Sequence, residues 1–197
     1  VDLTDADLTD ADLRDIDLTG VASIGIIGTP ALPSSYSIAG YYKIIVGPGV
    51  NLSGLGNKLA YITINDADLS GANLSGAKLI ASNLIGTNLT GADLSNADLS
   101  GADLTGVDLT DADLTGVFSY AIRGDHPTLP SSYSIVAGHL VGPNVNLSDR
   151  HLSGIDLTSV NLSGANLTGS WMIQSNLTGA DLSGSNLFGV KLVGADL

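Results

Sequence analysis

The residues of this chain that could do chemistry are three histidines and twenty acidic residues, and their placement argues against catalysis. His126, His139 and His151 are dispersed, with no pair at the i, i+4 spacing of a helical zinc site, and there is no cysteine to supply a thiolate or a disulfide. The carboxylates follow a repeating pattern, so no pair stands apart as a general acid and base. Ser34-Ser35 and Ser131-Ser132 lack the strand-turn-helix context of an activated nucleophile, and the glycines recur as turn residues instead of forming a phosphate loop. The expectation is a protein with no catalytic residue, no cofactor and no metal.

What positions these side chains is a rhythm. From Leu59 to Leu114 a large apolar residue recurs at every fifth position. A period of five suits neither an amphipathic helix at 3.6 nor a strand at 2, and a fixed period marks a repeat architecture. Two positions before the central residue stands a small one, usually Ala; Asp or Asn lies between; Ser or Thr and then Gly commonly follow. The small residue and the leucine point to the same side of an extended segment, and Ser/Thr-Gly turns the chain toward the next. Leu69, Leu74, Leu79, Leu84, Leu89, Leu94, Leu99, Leu104 and Leu109 are therefore assigned to the core, with Met172 replacing one central leucine further on. The Asp and Asn positions face outward.

These units closely resemble the pentapeptide-repeat family, whose unit is A(D/N)LXX, and the resemblance covers most of the chain. It implies an all-β fold, a right-handed quadrilateral β-helix with four units to a coil of twenty residues. It does not imply one function, although the best understood relatives mimic DNA and bind DNA gyrase.

Composition narrows the choice. The length suits one solenoid over residues 1–197, stacked on nearest neighbours without a central globular core. A net charge of −13 disfavours direct binding of nucleic acid or an anionic membrane. Mean hydropathy is +0.31, yet no apolar run reaches the ~18–20 residues of a membrane span. With no targeting segment visible, a soluble protein is expected, its compartment unspecified. Neither end of the sequence offers a separate polar cap, which reads either as a piece of a longer chain or as a surface that stacks on a partner, end-to-end self-association being one form of such stacking.

The rhythm breaks twice, over about 21–50 and 117–144, and the second break repeats the first. Leu32-Pro33-Ser34-Ser35-Tyr36-Ser37-Ile38 recurs about 96 residues later as Leu129-Pro130-Ser131-Ser132-Tyr133-Ser134-Ile135. This reads as an internal duplication, approximately 1–95 and 96–197. Each insert reads as a β-hairpin, the second with Ala137-Gly138 as its two-residue turn. Counting each insert as one complete coil gives about eight coils and predicts that both hairpins leave the same side as a two-pronged docking surface.

Stacking at twenty residues predicts outward columns such as Asn73/Asp93/Asp113 and Lys78/Asp98. One column departs from the Asp/Asn pattern: His151, Trp171 and Lys191. A tryptophan between two cations is a candidate recognition spot. The tyrosines of the inserts, among them Tyr36, Tyr41, Tyr42 and Tyr133, are candidates too, unless they fold back over the leucines. Two functions follow. The favoured one is a non-enzymatic acidic scaffold that binds a protein partner of unknown identity. The alternative, suggested by the resemblance, is a DNA mimic that binds a type II topoisomerase. Eight coils of ~4.8 Å would carry about one net charge per ~3 Å, sparser than the one per ~1.7 Å of duplex DNA.

Overall fold

The computed structural model describes residues 1–197 and is held together by parallel ladders. Through the middle block each outward Asp or Asn bridges its counterpart twenty residues on, as in Asp68↔Asn88↔Asp108 and Asn73↔Asp93↔Asp113. Four such columns follow one another at five-residue steps, so each twenty-residue turn contributes one rung to every column. The first side carries Asp2, Ala22, Asn51, Asn73, Asp93, Asp113, Asn161 and Asp181. The second carries Asp7, Ile27, Lys78, Asp98, Phe118, Asn146, Asn166 and Asn186, with Lys58, in a short 3-10 helix (Gly56–Leu59), at the level between Ile27 and Lys78. On the third are Asp12, Ala31, Thr63, Asn83, Asp103, Arg123, His151, Trp171 and Lys191, and on the fourth Asp17, Asp68, Asn88, Asp108, Thr128, Asp156, Asn176 and Asp196.

The local reason for most steps is an Asx turn. The Oδ1 of the outward Asp or Asn accepts the amide N–H two residues ahead, for example Ser95 N–H to Asp93 at 2.9 Å and Ser75 N–H to Asn73 at 3.0 Å. All twenty acidic residues are Asp, none Glu; in the columns a longer side chain would overshoot that amide. The corner residue that follows takes positive φ, at Gly91 (64°) and at Asn96 (58°) alike. Leu69 to Leu109 and Met172 are fully buried and belong to one continuous apolar cluster.

Two antiparallel hairpins interrupt the ladders. β1 (Ser37–Ala39) pairs with β2 (Ile44–Val46), and β3 (Ser134–Val136) with β4 (His139–Val141). The second has the expected two-residue Ala137-Gly138 turn, both residues at positive φ. The inserts are narrower than their sequence spans: Ala22, Ile27 and Ala31 already stack on Asp2, Asp7 and Asp12, and Phe118, Arg123 and Thr128 on Asp98, Asp103 and Asp108. The surplus residues lie between Ala31 and Asn51 and between Thr128 and Asn146.

This overturns the expected placement of the hairpins. Each insert advances five steps, not four, so Leu52 stands one side beyond Leu18 and Leu147 one side beyond Leu114. The first hairpin replaces a segment of the fourth side and the second a segment of the first, on adjacent sides of the molecule. The second column consequently has nine levels instead of about eight. Nor are the hairpins extruded. Three successive residues of β2, Ile44, Ile45 and Val46, are at most 1% exposed, which requires cover on both faces of the strand. Ile45 packs with Leu18, Val21 and Ile26, whereas Ile44 and Val46 join the main cluster. β2 thus lies as a partition across the apolar interior.

Candidate functional site

Serine makes room for the partitions. Counting five from Leu18 and from Leu114 lands on Ser23 and Ser119, which occupy leucine positions and are buried. A leucine there would fill the space that the hairpin enters. Each serine hydroxyl instead accepts an inward backbone amide, Ile45 N–H to Ser23 Oγ at 2.8 Å and Leu140 N–H to Ser119 Oγ at 2.9 Å. An unpaired amide at those buried positions would cost about 1–3 kcal/mol. Sequence reading passed over both serines, although the five-residue count alone singles them out.

Tyr36 and Tyr133 turn out to serve the fold. Each is half-buried, and each hydroxyl donates to a proline carbonyl, Pro48 at 2.8 Å and Pro143 at 3.0 Å. Their rings lie so close to Gly47 and Gly142 that a Cβ would come within 2.1 and 2.2 Å of a ring carbon. Tyr41 and Tyr42 are different. They form the tip of the first hairpin, edge to face with centroids 5.4 Å apart, and Tyr41 is 92% exposed. With Lys58 and Tyr61 they line a hollow of about 340 Å³, and a neighbouring hollow joins Lys43 to Lys58.

The column of the third side forms as its spacing requires. His151 and Trp171 bridge with ring centroids 4.8 Å apart, and Lys191 Nζ stands 3.7 Å from the centroid of the Trp171 ring. Trp171 remains 39% exposed, so this cation–π contact is worth ~0.5–1 kcal/mol. Beside it, at the corner between the second and third sides, the Arg150 guanidinium lies 4.0 Å from the Phe118 centroid and 5.7 Å from that of Tyr120.

Together these contacts disclose a sorting of residue types by side. Five of the seven Lys and Arg residues, Lys58, Lys78, Arg123, Arg150 and Lys191, lie on the second and third sides or the corner between them; Arg14 stands at the corner beyond the third side, paired with Asp12, and Lys43 lines a hollow with Lys58 at the hairpin tip. The exposed aromatics Tyr41, Tyr42, Tyr61, Tyr120, Trp171 and Phe188, with half-buried Phe118, follow the same edge. The first and fourth sides carry nine aspartates in their columns and no Lys or Arg. Several carboxyl groups are held below the usual range; Asp108, for one, bonds the Thr110 hydroxyl and amide. No group of three His or Asp side chains converges closely enough to hold a metal ion, and no helix is long and apolar enough to cross a membrane.

Stacked five-residue units, most with an Asx turn and an inward leucine, define a β-helical repeat protein. The signature of pentapeptide repeats matches residues 1–21, 67–118 and 144–197 in overlapping segments, and the chain belongs to the pentapeptide repeat family. Among solved structures it is similar to HetL of Nostoc sp. strain PCC 7120, a pentapeptide repeat protein involved in heterocyst differentiation regulation, at 24% identity. That match covers 100% of this chain and 87% of HetL, with a TM-score of 0.31. Full-length QnrB1, a plasmid-mediated fluoroquinolone resistance protein, matches at 18% identity over 100% of this chain and 91% of its own, TM-score 0.37. A pentapeptide repeat protein of the Arabidopsis thaliana thylakoid lumen matches at 27% identity over 65% and 63%, TM-score 0.28. No curated protein matches the sequence.

Proposed function

We propose that this protein is a non-enzymatic acidic scaffold, a right-handed quadrilateral solenoid that binds a protein partner along the edge between its second and third sides. The observation that carries the reading is the sorting of cations and exposed aromatics onto that edge. Tyr, Trp and Arg are the residues enriched where binding energy concentrates in protein interfaces. Here they stand on stacked rungs, which fix their spacing and reduce the ordering cost of docking. Trp171, His151 and Lys191 mark one end of the edge, and Tyr41, Tyr42 and Lys58 the other. The test compares partner capture from native lysate by the parent protein and by two variants. Trp171→Ala with Arg150→Ala should lose the captured protein, whereas Asp93→Asn with Asp113→Asn should retain it. The reverse outcome would place binding on the acidic sides.

That reverse outcome belongs to a second reading, a DNA mimic directed at a type II topoisomerase. The observation that favours it is the pair of sides with nine column aspartates and no cation. Over nine levels of ~4.8 Å they give one charge per ~5 Å, still sparser than duplex DNA. A gyrase supercoiling assay decides it: inhibition relieved by Asp93→Asn and Asp113→Asn supports mimicry, and full activity at large molar excess rejects it.

A further inference from the structure

The ladders are incomplete where the first hairpin enters. In a regular rung each column residue spends its own N–H and C=O on the rung before it: Asn88 N–H donates to Ala67 O at 2.9 Å, and Leu69 N–H donates to Asn88 O at 2.8 Å. Thr63 and Asp68 hold the same positions one turn earlier, yet the backbone N–H and C=O of both have no hydrogen-bond partner in the chain. The segment that should complete them is the one that leaves Ala31 and becomes β1.

β1 offers a matching edge. Ser37 faces Val46, Ile38 faces Ile45 and Ala39 faces Ile44, and in an antiparallel ladder mutually bonded pairs alternate with non-bonded ones. Ile45 spends its N–H on Ser23 Oγ, so Ile38↔Ile45 is the non-bonded pair. The N–H and C=O of Ile38 therefore point away from β2. Between this edge and the rung at Thr63–Asp68 lies a hollow of about 650 Å³, lined by Ser34–Gly40 on one wall and Thr63–Asp68 on the other. Unpaired strand groups occupy both walls. Asp66 and Asp68 line the hollow too, with no Lys or Arg among its residues.

We propose that this cleft binds an extended peptide segment of a partner protein by strand addition, with a Lys or Arg side chain of the peptide received by Asp66 and Asp68. Main-chain hydrogen bonds supply affinity in this mode, and the flanking side chains supply choice. The inference rests on the reading of the protein as a binding module but assigns a site away from the aromatic edge. The break is built into the repeated segment: His151, Asp156 and Asn161 also lack backbone partners opposite the second hairpin. Ser131–Ser134 and Ser159–Asn161 line a smaller hollow of about 380 Å³ there, without a carboxylate. A basic peptide should therefore prefer the first cleft.

The probe is a fluorescein-labelled, acetylated heptapeptide of alternating Val and Thr with a central Lys, followed by fluorescence anisotropy at low salt. Saturable binding is expected, with at least a tenfold loss when alternate peptide amides are N-methylated. A severalfold loss is expected for Asp66→Asn with Asp68→Asn, substitutions that keep the positive φ and the Asx turn. Amide NMR shifts on titration should centre on Ile38, Thr63 and Asp68. No saturable binding, equal binding of the N-methylated peptide, or shifts centred elsewhere would overturn the proposal. So would sedimentation showing a second copy of the chain in the cleft, displaced by no peptide. Trp171→Ala should leave peptide affinity unchanged. Loss of peptide binding with edge-dependent partner capture intact would thus reject the cleft alone, and the converse would reject the edge alone.

Discussion

Aspartate and asparagine interchange along the columns because the turn needs only their Oδ1, so charge can vary without changing the backbone. For the aspartates the same bond makes stability depend on pH. Asp103, Asp108, Asp156 and Asp181 are held below the ordinary value by the hydroxyl and amide of the following Thr or Ser, and Asp12 is lowered to about 2 by Arg14. Depressed folded values stabilise the fold above the unfolded carboxylate range, near pH 4, and that contribution is lost as pH falls through the folded values. Thermal melts should therefore show a falling Tm from about pH 4 to pH 2. A flat profile would mean that these turns contribute no proton-linked stability. Buried serines give a sharper contrast. Ser119→Ala removes the acceptor of the Leu140 amide and should cost about 1–3 kcal/mol. Ser170 is fully buried in a position usually held by Ala, its hydroxyl without a partner, so Ser170→Ala should stabilise by about 1 kcal/mol. Urea unfolding of the two variants, read against the parent, checks both signs.

The hairpin is the element that departs from the repeat, and its seat is a tyrosine lying over a glycine. At Gly142 a Cβ would come 2.2 Å from Cδ1 of Tyr133, so Gly142→Ala must push the ring aside. Overpacking of this kind costs about 1–3 kcal/mol. Tyr133→Phe should cost only about 1 kcal/mol, since it keeps the ring and loses the bond to the Pro143 carbonyl. Chemical denaturation of both variants tests the order, and a larger effect for Tyr133→Phe would show that the hydroxyl, not the ring contact, holds the hairpin. The tip obeys other rules: Tyr41 and Tyr42 lie beyond buried β2 and stay exposed, so replacing them should cost the fold little.

The whole molecule is a stack in which each rung touches only its neighbours, so damage to the central layers cannot be absorbed elsewhere. Leu84 lies between Ile64 and Leu104 in the inward stack, all buried. Leu84→Asp would place an unpaired charge among leucines and should cost more than ~4 kcal/mol, an exceptional loss for one substitution. A thermal melt indistinguishable from that of the parent would contradict the inward phase. The charge of −13 also has a direction at this scale, since two adjacent sides carry acids without cations. Such a field steers partners by sign and weakens with salt beyond about 8 Å at physiological ionic strength.

The sequence by itself determined the period, the inward leucines, the outward columns and the meeting of His151, Trp171 and Lys191. All of these follow from local turns repeated at a fixed step, because twenty residues of such steps bring the chain back over itself. It also showed the two hairpins and the tight Ala137-Gly138 turn, which depend on neighbouring residues. The tertiary structure decided how many steps each insert consumes, and therefore that the hairpins occupy adjacent sides and run inward. That outcome depends on the space left by Ser23 and Ser119 and on apolar cover for both faces of β2, contacts between residues more than twenty apart. The gathering of cations on one edge was hidden for the same reason. Arg150, Phe118 and Tyr120 share no period, and only the packing of successive rungs sets the guanidinium over the rings.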